Sequence, residues 1–385
     1  MKHRFISKKY WKDKSTAMGK SDELAKGFDD VINLSLGDPD LITDDRIIDA
    51  AFADAKAGHT KYTDFRGDPE LREAIRNFYE EEYGVDLADE EIFVAASGCH
   101  GMYLALEAIL DPGDEVILQT PYFTPYPQQV ELAGGIPVEL PTLEEEDFKI
   151  NTSRLESLIN ERTKALVINT PSNPTGNCLT EENMREIGEI ARKYDLIVIA
   201  DDIYTAFSYQ SPFVPFLSIP GMRERTITIN SFSKNFTMTG WRIGNIVAPD
   251  YLIRTIQTIN ENVVFTAPSI SQRAAIAALK YRQSVQPPMV EEYRSRTYYA
   301  VELVNGIEWM STAYPPKGSF YLFVNIRRSG LTSEQAAERI LKEAHVLTLP
   351  GNAFGRCGEG YLRIACTVGK EKLKEAFERI ARMEI

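Results

Sequence analysis

Among the residues of this chain, Lys234 has the neighbours best suited to covalent chemistry. It lies in Ser-Phe-Ser-Lys-Asn-Phe-Thr-Met-Thr-Gly-Trp-Arg-Ile-Gly, residues 231–244. The small hydroxyl residues ahead of it leave its amine room to reach a carbonyl carbon and condense to an imine, which is nucleophilic catalysis by a lysine. Ser231 and Ser233 offer hydroxyls and Arg242 a forked cation, together a good binding set for a phosphate. Gly240 and Gly244 allow a tight backbone path around it. A lone lysine is usually a solvated surface cation; the spacing S-x-S-K-x(5)-G-x-R-x-G sets this one apart. Three further stretches carry chemistry. Residues 95–106, AASGCHGMYLAL, form a glycine-rich entry to a helix, whose unpaired N–H groups and positive dipole receive phosphate. Residues 169–177, NTPSNPTGN, have the composition of a turn. Residues 196–207, LIVIADDIYTAF, end an apolar run on two acids, Asp201 and Asp202, which in isolation could equally cap a turn.

The elements around these stretches follow from periodicity. Helical spacing covers residues 98–110, and Asp-Pro-Gly-Asp stops it. Strands are expected at 115–119, 136–140, 165–169, 196–200 and 226–230, with helices at 127–133, 155–159 and 181–194 between them. The run at 196–200 is continuously apolar, as in a strand buried on both faces. Strands alternating with crossover helices imply an α/β fold, a mostly parallel sheet with helices on both sides. Ligands of such a sheet sit beyond the carboxyl ends of its strands, where most of the loaded residues fall. From about residue 286 the pattern changes to a helix at 289–303, a strand at 319–325, a helix at 333–344, a strand at 361–366 and a last helix from 370. That gives a large domain over residues 46–285 and a smaller α+β domain from 1–45 plus 286–385. The acidic run Glu144 to Asp147 reads as a solvated loop, and the aromatic N-terminus (Phe5, Tyr10, Trp11) as packing on a partner or in the core.

The segment around Lys234 resembles the cofactor-lysine signature of fold-type-I, pyridoxal-phosphate-dependent aminotransferases, the aspartate aminotransferase superfamily. The resemblance runs from about residue 33 to residue 368 and implies that Lys234 holds pyridoxal phosphate. It implies that Asp201 keeps the ring nitrogen protonated, because a buried carboxylate favours the pyridinium that serves as an electron sink. Tyr204 and Asn173, the latter in P-x-N-P-T-G, are implied to hydrogen-bond the ring oxygen, and Asp202 stands where the family often has Glu. Gly98, Cys99 and His100 match backbone donors to the phosphate, joined by Ser231, Ser233 and Arg242. Phe123 matches the aromatic that stacks on the ring. Tyr62 matches a tyrosine that crosses a dimer interface to the partner's phosphate. Arg363 matches the arginine that grips the substrate α-carboxylate, with Gly37 beside it. The implied enzyme is a homodimeric aminotransferase working between an L-amino acid and a 2-oxo acid.

Bulk composition narrows the alternatives. The 385 residues carry a net charge of -13, unlike a nucleic-acid binder with its basic face. Four cysteines without a CxxC pair and four scattered histidines argue against a disulfide scaffold or a metal site. No run of 18 apolar residues and no signal-peptide core occur, which suits a cytoplasmic protein. A carbon–sulfur β-lyase of the same fold shares every cofactor residue, although TMTGWRIG looks more like the aminotransferase branch. A non-catalytic cofactor-binding regulator would need room for a DNA-binding module ahead of residue 33, and a dinucleotide-dependent dehydrogenase a GxGxxG after a strand. The donor amino acid is not legible.

Overall fold

A computed structural model describes residues 3–11, 19, 21, 23, 25–312 and 315–385. Residues 12–18 of the expected N-terminal part of the small domain lie outside the described residues. The apolar runs become strands β1 (Ile32–Asn33), β2 (Ile92–Ala95), β3 (Glu115–Thr120), β4 (Ile136–Pro141), β5 (Thr163–Asn169), β6 (Ile197–Asp201), β7 (Thr226–Ser231), β8 (Gly244–Val247), β9 (Tyr321–Asn325), β10 (Val346–Leu347), β11 (Leu349–Pro350) and β12 (Tyr361–Ala365). The helices are α1 (Asp45–Lys56), α2 (Pro69–Tyr83), α3 (Gly98–Ile109), α4 (Tyr126–Leu132), α5 (Thr152–Leu158), α6 (Glu181–Lys193), α7 (Phe232–Asn235), α8 (Asp250–Glu261), α9 (Ser269–Asn305), α10 (Ser333–Arg339) and α11 (Lys370–Ala381).

Seven strands form one sheet in the order β2-β8-β7-β6-β5-β3-β4. β8 alone runs against its neighbours β7 and β2; the other pairings are parallel. Every residue of β3 and β7 is buried, because helices cover both faces and leave neither side to solvent. The chain is therefore α/β with a mostly parallel central sheet, as the alternation of elements implied. A second, smaller strand system pairs β1 with β10 and orders β11-β12-β9 antiparallel. Its own apolar core joins Leu34, Val304, Val324, Val346, Ile364 and Phe377. Among the described residues no helix is long and apolar enough to cross a membrane, and no His, Cys, Asp and Glu cluster could hold a metal.

Several expectations are corrected. The helix expected at 289–303 is the second half of α9, 37 residues long and carrying Pro287 and Pro288 within it. The proline pair mimics a break, yet Val285 and Met289 are buried on either side and pack into different cores. The expected boundary between residues 285 and 286 thus falls inside one helix. The acidic run is no solvated loop. Glu144–Glu146 is a single 3-10 turn whose first carboxylate is buried and hydrogen-bonded to Asn325 and Tyr361. Asp202, beside Asp201, is buried. Phe5 and Tyr10 are exposed, so they are not part of this chain's core.

Candidate active site

Asn169 pairs with Asp201, and Asp201 with Ile229, across the ladders that join β5, β6 and β7. The carboxyl ends of these strands are level, so residues just past them face one crevice. The crevice is a cavity of about 490 Å³, large enough for a cofactor-sized ligand. Of the residues matched to a cofactor or substrate role, all but His100 and Tyr62 line it.

Lys234 enters from α7, the single turn after β7, and its Nζ donates to the Gly37 carbonyl at 2.5 Å. Burial pulls its ammonium down from the ordinary 10.5 to about 8, with nearby Asp38 opposing and Arg363 and Arg242 adding to the fall. Position 37 has no room for a side chain, since a Cβ there would overlap the Tyr321 hydroxyl. The Tyr321 hydroxyl and that backbone can lie this close only because the residue is glycine.

Asp201 is buried at the end of β6 and accepts from the Tyr126 phenol and, at 3.3 Å, from the Ile203 N–H. Burial raises its carboxyl to about 6, while these hydrogen bonds pull the other way. The Tyr204 hydroxyl lies 3.1 Å from that of Tyr321. Burial holds the Tyr204 phenol well above its usual range, so it stays a donor. Asn173 is fixed by a relay of amides: its N–H donates to Asn169 Oδ1 at 2.7 Å, and Asn169 Nδ2 donates to the Asp201 carbonyl at 2.8 Å.

Arg363 projects from β12 and is 1% exposed. Its Nη1 donates to Asn173 Oδ1 at 3.1 Å and its Nη2 to the Ser35 carbonyl, while Nε has no partner. The guanidinium lies over the Tyr321 ring at 4.6 Å and the Phe354 ring at 4.9 Å, cation–π contacts that fix its plane. A buried cation so constrained suits a carboxylate that arrives with a matching fork.

At the other end of the cavity, Gly98 and Cys99 open α3, with Ser97 as its cap. Ser97 Oγ accepts from the His100 N–H at 3.0 Å, so that donor is already engaged. The His100 ring is turned inward, with Nδ1 accepting from the Ala96 N–H at 3.2 Å, and burial lowers its pKa. Ser231 and Ser233 stand with their hydroxyls 2.9 Å apart. Arg242 adopts the left-handed conformation and donates to the Thr239 carbonyl at 2.8 Å near the mouth. A Cβ at Gly244 would come within 2.7 Å of the Asn230 carbonyl and 3.0 Å of the Gly98 N. Only glycine lets β8 pass this close to the start of α3. Phe123 meets Tyr126 edge to face, centroids 5.7 Å apart at 82°.

Tyr62 is elsewhere: it is 79% exposed and packs its ring on Phe265 at 4.8 Å. Sequence reasoning missed Tyr126 and Tyr321. The first sits three residues after Phe123 in TPYFTPYP and the second opens β9, and neither position distinguishes a site tyrosine from a core one.

The model of the family described as aminotransferase class I and II matches residues 29–380. An aspartate aminotransferase from Pyrococcus horikoshii is 39% identical, over 93% of this chain and 92% of that protein. Aromatic-amino-acid aminotransferase 2 from Thermococcus litoralis is 36% identical, over 94% and 93%. The solved aspartate aminotransferase from Thermus thermophilus with maleate superimposes with a TM-score of 0.92 at 33% identity, covering 99% of this chain and all of that one (100%). Matched along nearly its whole length in both sequence and structure, the chain belongs to the class I and II aminotransferase family and is an aminotransferase.

Proposed function

We propose that this aminotransferase works with pyridoxal phosphate held covalently on Lys234, and that it moves an amino group between an L-amino acid and a 2-oxo acid in the cavity described above. The observation that carries this reading is the convergence on one cavity of a half-buried amine of lowered pKa, a buried carboxylate and a locked buried guanidinium. The donor set fits the cofactor group by group. An amine is there for its aldehyde and a carboxylate for its ring nitrogen. A phenol and an amide suit its ring oxygen, and two hydroxyls, a guanidinium and a helix N-terminus suit its phosphate.

When bound, the cofactor supplies an electron sink for the charge left on the substrate α-carbon. The chain's own residues do the rest. Asp201, held by Tyr126, keeps a proton on the ring nitrogen. Tyr204 and Asn173 hold the ring oxygen, and Phe123 covers one ring face. Ser231, Ser233, Arg242 and the backbone of Gly98 and Cys99 grip the phosphate, whereas the His100 N–H is committed to Ser97. Arg363 pairs with the substrate α-carboxylate beside Gly37, fixing the substrate for reaction. Lys234 Nζ would hold the cofactor through its aldehyde and, with its amine free, would be placed to take the substrate α-proton and to give a proton back, as base and then acid.

We assign residues 46–285 to a large domain and 1–45 with 286–385 to a small one. The enzyme is a cytoplasmic homodimer in which Tyr62 reaches the partner's phosphate site. The test is Lys234→Ala. It should lose both amino transfer and the visible absorption of the lysine-linked cofactor, while still folding. A variant that kept both would refute the assignment.

A further inference from the structure

The acidic run after β4 is engaged with the smaller strand system. Glu144 Oε2 accepts from Asn325 Nδ2 at 2.6 Å and from the Tyr361 phenol at 3.0 Å. Asp147 pairs with Lys317, and Glu145 faces Arg327 at 3.4 Å. Phe148 follows, its ring 6.1 Å from Phe323 and 6.3 Å from Tyr361. Glu144 itself is 8% exposed, so its carboxylate resides where an unpartnered charge would be costly.

The register says what this contact controls. Asn325, at the end of β9, lies directly opposite Tyr361, at the start of β12. Side chains alternate along a strand, so Tyr361 and Arg363 share a face. Phe323 lies opposite Arg363 and stacks on Tyr361 at 4.7 Å and 7°. Tyr321, under the Arg363 guanidinium, is on that face too. One carboxylate from the turn after β4 therefore clamps a cross-strand pair two residues from the arginine.

We propose that Glu144 is a positioning residue for substrate binding: by gripping Asn325 and Tyr361 it fixes β12 so that Arg363 presents its guanidinium to the cavity. The inference rests on reading Arg363 as the α-carboxylate site. A carboxylate that merely joined the two strand systems would affect thermal stability, cofactor retention and turnover together. A carboxylate that aims Arg363 affects the substrate's KM, and does so alike for donors with different side chains, because every donor shares the α-carboxylate.

The experiment uses the holoenzyme and a panel of apolar, aromatic and acidic amino-acid donors, with the cofactor absorbance recorded alongside. Glu144→Ala should raise KM by about tenfold for every donor, the scale expected when a binding group is displaced by a fraction of an ångström. Its kcat and cofactor spectrum should stay close to those of the unmodified enzyme. Glu144→Gln keeps an oxygen able to accept both hydrogen bonds, so it should restore KM. Tyr361→Phe, which removes one hydroxyl and no bulk, should raise KM less and in the same direction; it carries the test if Glu144→Ala does not fold. Arg363→Ala is the reference. If it raises KM while Glu144→Ala or Tyr361→Phe does not, or if Glu144→Gln fails to restore KM, the positioning role is overturned. If Arg363→Ala itself leaves KM unchanged, the reading of Arg363 falls first, and the role of Glu144 with it.

Discussion

At the scale of single residues, the site works by burying ionisable groups, so that burial itself shifts their charge. Lys234 illustrates this: burial, more than any partner, brings its pKa to about 8. An ammonium has no lone pair, so below that pH the amine cannot attack an aldehyde, and above it most molecules can. Mixing cofactor-free enzyme with pyridoxal phosphate across a pH series should show the visible band forming faster up to about pH 8 and levelling beyond. A rate still climbing tenfold per pH unit past 9 or so would point instead to an ordinary exposed lysine, whose pKa is ~10.4. Lys234, Asp201, Tyr204, Asn173 and Arg363 were legible because each stands just past or on a strand in a fixed order. Tyr126 and Tyr321 were not, although one holds Asp201 and the other underlies Arg363. A buried tyrosine in an apolar stretch has the same sequence signature whether its hydroxyl serves the site or only the core.

At the scale of elements, the parallel strands were the most readable feature. β3, β5, β6 and β7 each carry a run rich in β-branched and apolar residues bounded by turns, so their ends were located to within two residues. β8 was missed because it is four residues long and opens with glycine and asparagine, both poor strand formers. It forms because Gly244 allows contact with Asn230 and Gly98 that no side chain permits. The continuity of α9 was hidden by its internal proline pair, and packing against two cores overrides that signal. The acidic run was misread for a different reason. Three glutamates and an aspartate in sequence look solvated, and the donors that bury Glu144, Asn325 and Tyr361, lie more than 180 residues away in sequence. Long-range polar pairs leave no periodicity to read.

At the scale of the whole molecule, the exposed aromatic group of Tyr62, Phe65 and Phe265 calls for a cover. The rings pack on one another, at 4.8 and 5.1 Å, yet Tyr62 is 79% exposed, and the dimer proposed above would cover this clustered apolar surface. Sedimentation should give twice the chain mass. Tyr62→Phe, which removes only the hydroxyl, should weaken pyridoxal phosphate binding by about tenfold in equilibrium dialysis, the worth of one hydrogen bond to a charged group. A monomer, or unchanged cofactor affinity, would show that Tyr62 does not cross to a partner's site. None of this matters unless the cofactor is joined to the chain at the expected lysine. Enzyme saturated with pyridoxal phosphate, reduced with borohydride, digested and mapped by mass spectrometry should carry its label on the peptide containing Lys234. A label confined to other lysines, or none at all, would contradict the account.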